Sequence, residues 1–238
     1  MSDLVILSDS MAVDYRNRKN WITGAAGFYP MSGWGEFAAR RVKPGVGVFN
    51  FSVGGYSSKL CVERVLVKPE VKEHFRPGNM LIAAFGGNDT VPSSKLPDRT
   101  TTPEPGGTFE KYMGIIIDAA QNAGMNVHIM NTPPQCRYTG GVLDNSLFAP
   151  HAEASRRIAR ERELPFIDAA GLIGRAYAKF TEEELRKHFM FVPPSENWPE
   201  GRADFRHYNL LGAEFAWSVI EAEIRRRDFP LVQLLAEG

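Results

Sequence analysis

Cysteine is nearly missing from this chain. Its two cysteines, Cys61 and Cys136, are too few for a disulfide framework and lack the close pairing of a zinc site, so both are expected as free thiols. Charge of one sign is missing as well: Lys and Arg number 28, Asp and Glu 28, and the formal net charge is zero. With no basic surplus, neither nucleic acid nor an anionic membrane surface is an expected partner. No apolar run approaches the roughly 20 residues needed to span a bilayer, and no basic leader precedes the first apolar run at Leu4. The chain as written is therefore expected in the cytoplasm, or outside the cell if a leader has been removed. The sequence contains no G-x-x-x-x-G-K-S/T, no H-E-x-x-H and no G-x-S-x-G. The remaining histidines, 74, 128, 151 and 188, sit in unrelated segments, so neither cofactor nor metal is expected.

What is present is ordinary globular composition. At 238 residues, with 43% hydrophobic and 24% charged, the chain suits one α/β domain spanning 1–238. Short apolar runs alternate with helical patterns along its length. LVIL at the start, VGVFNFSV at 46–53, MLIAAF at 80–85, NVHIMN at 126–131 and LPFID at 164–168 read as strands. Each run is almost continuously apolar, as in a parallel sheet covered on both faces. Between them, Phe109, Tyr112, Met113, Ile116, Ala120 and Ala123 mark one helical stripe, and Leu211, Phe215, Ala216 and Val219 a second. Thr181 and Glu184 form a capping box that opens a short helix. The stretches 11–32, 91–107 and 192–204 read as loops. Gly33-Trp-Gly-Glu-Phe-Ala38 fits the dinucleotide fingerprint G-x-G-x-x-A by letter, but the preceding FYPMS is a poor strand, and it reads instead as a helix start.

Ligands of open parallel sheets bind beyond the carboxyl ends of the strands. Behind successive strand runs stand Ser8-Asp-Ser10, Gly54-Gly55, Gly86-Gly-Asn-Asp89 and Thr132-Pro-Pro-Gln135, while Asp204-Phe-Arg-His207 precedes the last helix. A hydroxyl, glycine backbone, a carboxamide, a carboxylate and an imidazole thus share one rim. Serine is a weak nucleophile until a base removes its proton, which makes Ser10 the candidate nucleophile and His207 the candidate base. Asp204, expected one helical turn before His207, would anchor the other ring nitrogen. The backbone N–H groups of Ser10 and Gly55 and the Asn88 amide would form an oxyanion hole. Each residue also has a plainer reading, as cap, tight turn or connection. Their joint placement on one rim favours the catalytic one.

These blocks resemble the SGNH, or GDSL-type, hydrolase family, in order and over residues 8 to 207. Within it, Gly33-Trp-Gly-Glu36 and Gly54-Gly-Tyr-Ser-Ser-Lys59 look most like rhamnogalacturonan acetylesterases. The resemblance implies a flavodoxin-like three-layer α/β/α sandwich around five parallel strands, a Ser10-His207-Asp204 triad and an oxyanion hole of Ser10, Gly55 and Asn88. It also implies a serine esterase that removes acetyl groups from a pectic-type carbohydrate without cofactor. Three positions depart from the usual pattern: Ser8 replaces a glycine, Gly87 a histidine, and Tyr56 an arginine.

The expected substrate is an acetylated oligosaccharide or small ester. Trp34, Tyr56, Tyr138 and Trp198 are candidates to stack on sugar rings, and Arg137, Arg202 and Arg206 to pair with a uronate carboxylate. Two rival readings remain at this level. One is a short-chain lipolytic esterase or thioesterase with the same triad, the other a carbohydrate-binding protein without catalysis.

Overall fold

The computed structural model describes residues 2–16, 31–194, 196 and 199–237. Nine strands appear among them: β1 (Leu4–Ser8), β2 (Val48–Asn50), β3 (Met80–Ala84), β4 (Asn126–Met130), β5 (Tyr138–Thr139), β6 (Val142–Leu143), β7 (Phe166–Ile167), β8 (Phe189–Val192) and β9 (Arg202–Tyr208). Five of these form a parallel sheet in the order β2-β1-β3-β4-β7. That order is the doubly wound, flavodoxin-like one, whose switch point lies between β1 and β3.

The α-helices are α1 (Trp34–Arg40), α2 (Ser58–Arg64), α3 (Pro69–Lys72), α4 (Gly87–Thr90), α5 (Thr108–Asn122), α6 (Ala149–Glu161), α7 (Ala169–Tyr177), α8 (Glu182–Arg186) and α9 (Leu210–Arg226). On one face of the sheet Leu4, Ile6, Met80, Ile82 and Ile167 pack with α1, α7 and α9. On the other, Val5, Leu7, Leu81, Val127 and Ile129 pack with α2, α5 and α6. Alternate residues of β1 therefore feed opposite cores, and Leu4 to Leu7 are all 0% exposed. Burial on both faces is why the strand runs carry no polar alternation. Each such side chain contributes about 1.5–3 kcal/mol by leaving water.

The helical stripe of α5 is as expected, with Phe109, Met113, Ile116 and Ala120 buried. The stripe of α9 is rotated from the expected one. Leu211 is half exposed, whereas Ala213, Ala216, Trp217, Ile220 and Ile224 face the core. The Thr181–Glu184 capping box opens α8, and both cysteines are free and buried. Gly33 caps α1, whose first turn lies against the chain that follows β1. A Cβ on Gly33 or Gly35 would collide with the backbone of Ala12 and Val13, so the glycines allow that close approach.

Two antiparallel hairpins, β5-β6 and β8-β9, were not expected. β8 and β9 occupy part of what reads as the last loop. Among the described residues, no helix is long and apolar enough to cross a membrane.

Candidate active site

The chain leaves β1 in a tight turn at the carboxyl edge of the sheet. Ser8, where the family pattern has glycine, closes the strand: its Oγ donates to the Ala84 carbonyl of β3 at 2.8 Å. Asp9 Oδ1 accepts the Met11 N–H at 2.9 Å, and its carbonyl accepts the Ala12 N–H. This side-chain-to-backbone turn leaves Ser10 at its apex. The Ser10 carbonyl accepts from the Tyr15 hydroxyl at 3.0 Å, and the Tyr15 N–H donates to buried Glu36 at 3.1 Å. The Gly-Trp-Gly-Glu segment thus supports the serine turn from below.

Asp204 and His207 lie on β9, not on a helical turn. The pairing of β9 with β8 shifts register so that Tyr208 opposes Phe189 and Asp204 opposes Met190. Residues 205–207 are looped out as a bulge, and bulges re-aim side chains in this way. Asp204 Oδ1 accepts the backbone N–H of both Arg206 and His207, each at 3.0 Å, and pins the bulge. Its Oδ2 accepts from His207 Nδ1 at 2.8 Å and from Arg202 Nη2 at 2.5 Å. His207 Nε2 lies 2.8 Å from Ser10 Oγ. Burial alone would raise the Asp204 carboxyl, but the hydrogen bonds and charge of His207 outweigh it and hold the group well below the ordinary carboxylate range. An imidazole held between a hydroxyl and an ionised carboxylate can take the hydroxyl proton and be stabilised as the cation.

The other rim blocks converge on the same turn. Gly55 adopts a left-handed φ of 82° and Gly54 packs beside the Ser10 side chain. Asn88, in α4, is buried; its Nδ2 donates to the Tyr56 carbonyl at 2.9 Å and sits 3.3 Å from Asp9 Oδ2. Asp89 accepts from Ser58, Gly86 and Thr101, joining α2, the turn at Gly86 and the 91–107 loop. Burial pushes its carboxyl up to about 6.

Arg206 points inward. Its Nη2 pairs with Asp9 Oδ2 at 3.3 Å, and its guanidinium lies 5.4 Å from the Phe148 ring centre. It occupies the space beside Gly87, where a Cβ would overlap the same nitrogen. Arg99 is a second cation at the rim, tying the 91–107 loop to the Gly55 carbonyl at 3.4 Å. Its pKa is lowered by burial and then by the positive charge of Arg206. Sequence reasoning missed Asp9, Tyr15 and Arg99 as parts of the site. Only Asp9, inside the Ser-Asp-Ser block, carried a local signal.

The expected sugar contacts fare unevenly. Trp34 is 0% exposed and stacks on Trp217 at 6.0 Å, so it is core and cannot reach a ligand. Tyr56 packs its ring against the second core, under Arg64. Tyr138 is half-buried against the first core. Arg202 is engaged by Asp204. Arg137 is exposed, immediately before β5. Trp198 lies outside the described residues.

A family model for GDSL-like lipases and acylhydrolases matches residues 9–215. The chain belongs to that family. As a GDSL-like acylhydrolase it is a carboxylic ester hydrolase. Over 205 residues it is 26% identical to the rhamnogalacturonan acetylesterase RhgT of Bacillus subtilis (strain 168), covering 85% of this chain and 84% of the relative. Its fold is similar to that of protein YXIM of Bacillus subtilis, with a TM-score of 0.75 and 18% identity. The match takes in 96% of this chain and 57% of that one, so this acylhydrolase spans little more than half of YXIM. It is also similar to Axe2, an acetylxylan esterase of Geobacillus stearothermophilus, with a TM-score of 0.61 and 15% identity over 96% of this chain and 94% of that one.

Proposed function

We propose that this acylhydrolase removes acetyl groups from a pectic, rhamnogalacturonan-type carbohydrate through an acyl-enzyme. Ser10 attacks the ester carbonyl, and His207 takes its proton and then passes it to the leaving sugar hydroxyl. Asp204 holds the imidazole in the tautomer that presents Nε2 to the serine. The tetrahedral oxyanion is received by the N–H groups of Ser10 and Gly55 and by Asn88, whose amide turns from the Asp9 carboxylate toward the developing charge. Water then attacks the acyl-enzyme, with His207 again as base, and acetate leaves.

The observation that carries this reading is the unbroken pair of 2.8 Å contacts from Ser10 Oγ through the imidazole to Asp204. The pectic substrate is supported by the likeness to RhgT. The decisive experiment pairs the parent with Ser10→Ala on p-nitrophenyl acetate, acetylated rhamnogalacturonan and acetylated xylan. The parent is expected to release acetate from the pectic polymer fastest and the variant from none of the three. A variant that retains the parent rate would remove Ser10 from the mechanism, and a preference for xylan would remove the pectic substrate alone.

A further inference from the structure

Beyond the β4 and β7 ends of the sheet lies a cleft of about 330 Å³. Thr132 stands at its inner end, two residues after β4, and Asp168, the residue after β7, stands at its outer end. Strands are spaced about 4.8 Å apart, so the cleft is centred roughly 12 Å along the rim from the β1 end that carries Ser10. Contacts bridge that interval: Asp9 holds Arg206, Arg206 lies over Phe148, and Phe148 lines the cleft. Thr132 likewise faces both Gly87 and the cleft.

We infer that this cleft is a second saccharide subsite, which takes a neutral sugar ring of the acetylated chain while the acetylated ring sits at Ser10. The inference rests on the reading of the enzyme as a carbohydrate esterase. Its volume is at the lower end for ligand pockets, the scale of one sugar ring. The small side chains of Ala149, Ala152 and Ala170 make the room. Phe148 and the alanines give it apolar surface for a ring face, and its one charged wall decides which ligand fits. Glu153, Arg156 and Asp168 line one wall, with Arg156 held between the two carboxylates at 3.3 and 3.0 Å. Paired carboxylates keep free lone pairs, and an ionised carboxylate only accepts hydrogen bonds, which matches sugar hydroxyls as donors. The three groups sum to one negative charge, so a uronate is disfavoured there. An acyl chain would lie against carboxylates that it cannot satisfy. Asp168 is itself fixed by Asn131 Nδ2 at 2.8 Å, so the wall is built before any ligand arrives.

The test compares the parent with Ala152→Leu, which fills the cleft, and with Glu153→Gln at an exposed position. Substrates are acetylated mono-, di- and trisaccharides with neutral outer rings, beside p-nitrophenyl acetate and octanoate. The parent is expected to gain about tenfold or more in kcat/KM from mono- to trisaccharide, the scale of one filled pocket. Ala152→Leu should lose that gain and keep the parent rate on p-nitrophenyl acetate, and Glu153→Gln should raise KM for the trisaccharide alone. Equal rates at all saccharide lengths, or a gain that survives Ala152→Leu, would overturn the subsite while leaving the carbohydrate reading intact. A parent that cleaves p-nitrophenyl acetate but no acetylated saccharide would remove both. A selective loss on octanoate in Ala152→Leu would make the cleft an acyl pocket and overturn the proposal.

Discussion

Gly87 and Arg206 compete for one space: a Cβ on the glycine would overlap Nη2 of the arginine and crowd Thr132. The arginine compensates Asp9, a buried carboxylate next to Ser10 and beside Asn88. In the proposed mechanism, that negative charge left uncompensated would oppose the oxyanion at Asn88. Gly87→Ala should dislodge Arg206 rather than unfold the protein, because the obstacle is the flexible end of a side chain. The expected result is a stability loss on the order of 3 kcal/mol, the scale of a buried charge left without its cation, and a fall in kcat/KM on p-nitrophenyl acetate of about tenfold or more, one step of 1.4 kcal/mol. Arg206→Gln should behave likewise, and adding Asp9→Asn to it should recover part of the rate, since the stranded charge is gone. Steady-state kinetics of the three variants check this, and full activity in Gly87→Ala would detach the ion pair from the chemistry.

Asp204→Asn separates charge and geometry from bulk. Both carboxylate oxygens of Asp204 accept hydrogen bonds, from two backbone N–H groups, from His207 Nδ1 and from Arg202. An amide must turn an NH₂ toward one of these donor sets, so the imidazole loses its anchor or its tautomer. On p-nitrophenyl acetate kcat should drop by on the order of 10³ to 10⁴-fold with KM little changed. A drop below tenfold would mean that His207 does not depend on the carboxylate.

These two variants probe parts of the molecule that were unequally legible in sequence. The central strands were readable because both faces are buried: β1 could be found from four apolar letters. The convergence of Ser10, Asn88 and His207 on one rim was readable because each follows or precedes a recognisable element. The geometry that joins Asp204 to His207 was not. β9 carries polar residues and pairs only with short β8 across a bulge, so neither helical nor alternating periodicity marks it. Trp34 misled in the opposite way. An aromatic residue in a rim motif suggests ligand stacking, yet its partner is Trp217 on a distant helix, a contact that no local pattern announces. Arg206 was expected to face a uronate, and its inward turn depends on the void at Gly87, which only the assembled site reveals.

Tyr15 tests the support beneath Ser10. Its hydroxyl donates to the Ser10 carbonyl at 3.0 Å and its N–H to Glu36 at 3.1 Å. Tyr15→Phe removes the first of these and leaves a buried carbonyl short of a donor. The loss should be about 1 kcal/mol in stability, with kcat lowered severalfold and KM unaltered. Chemical denaturation and kinetics on the same preparation check it. A fall in KM affinity without a change in kcat would place Tyr15 against substrate instead of under the serine.

His128 and Asp89 give the fold opposing pH dependences. His128 is 0% exposed in β4, and its Nε2 accepts the Leu231 N–H at 3.3 Å, as a neutral ring does. Burial lowers its pKa from 6.5 to about 4. Between those values the unfolded chain binds a proton that the native state refuses, so native stability falls as the pH drops, by up to about 3 kcal/mol from this group. Asp89 acts in the other direction. Its carboxyl is raised by burial to about 6, so between the ordinary carboxylate range and that value the native state binds the extra proton, and its contribution is lost as pH rises. His128→Gln keeps an acceptor for Leu231 but does not titrate. Its stability, measured by denaturant unfolding from pH 6.5 to 4, should therefore fall less steeply than that of the parent. Asp89→Asn should fall more steeply, because the offsetting group is gone. A constant difference between parent and His128→Gln across the window would show that the ring titrates alike in both states, against its burial beneath Leu231.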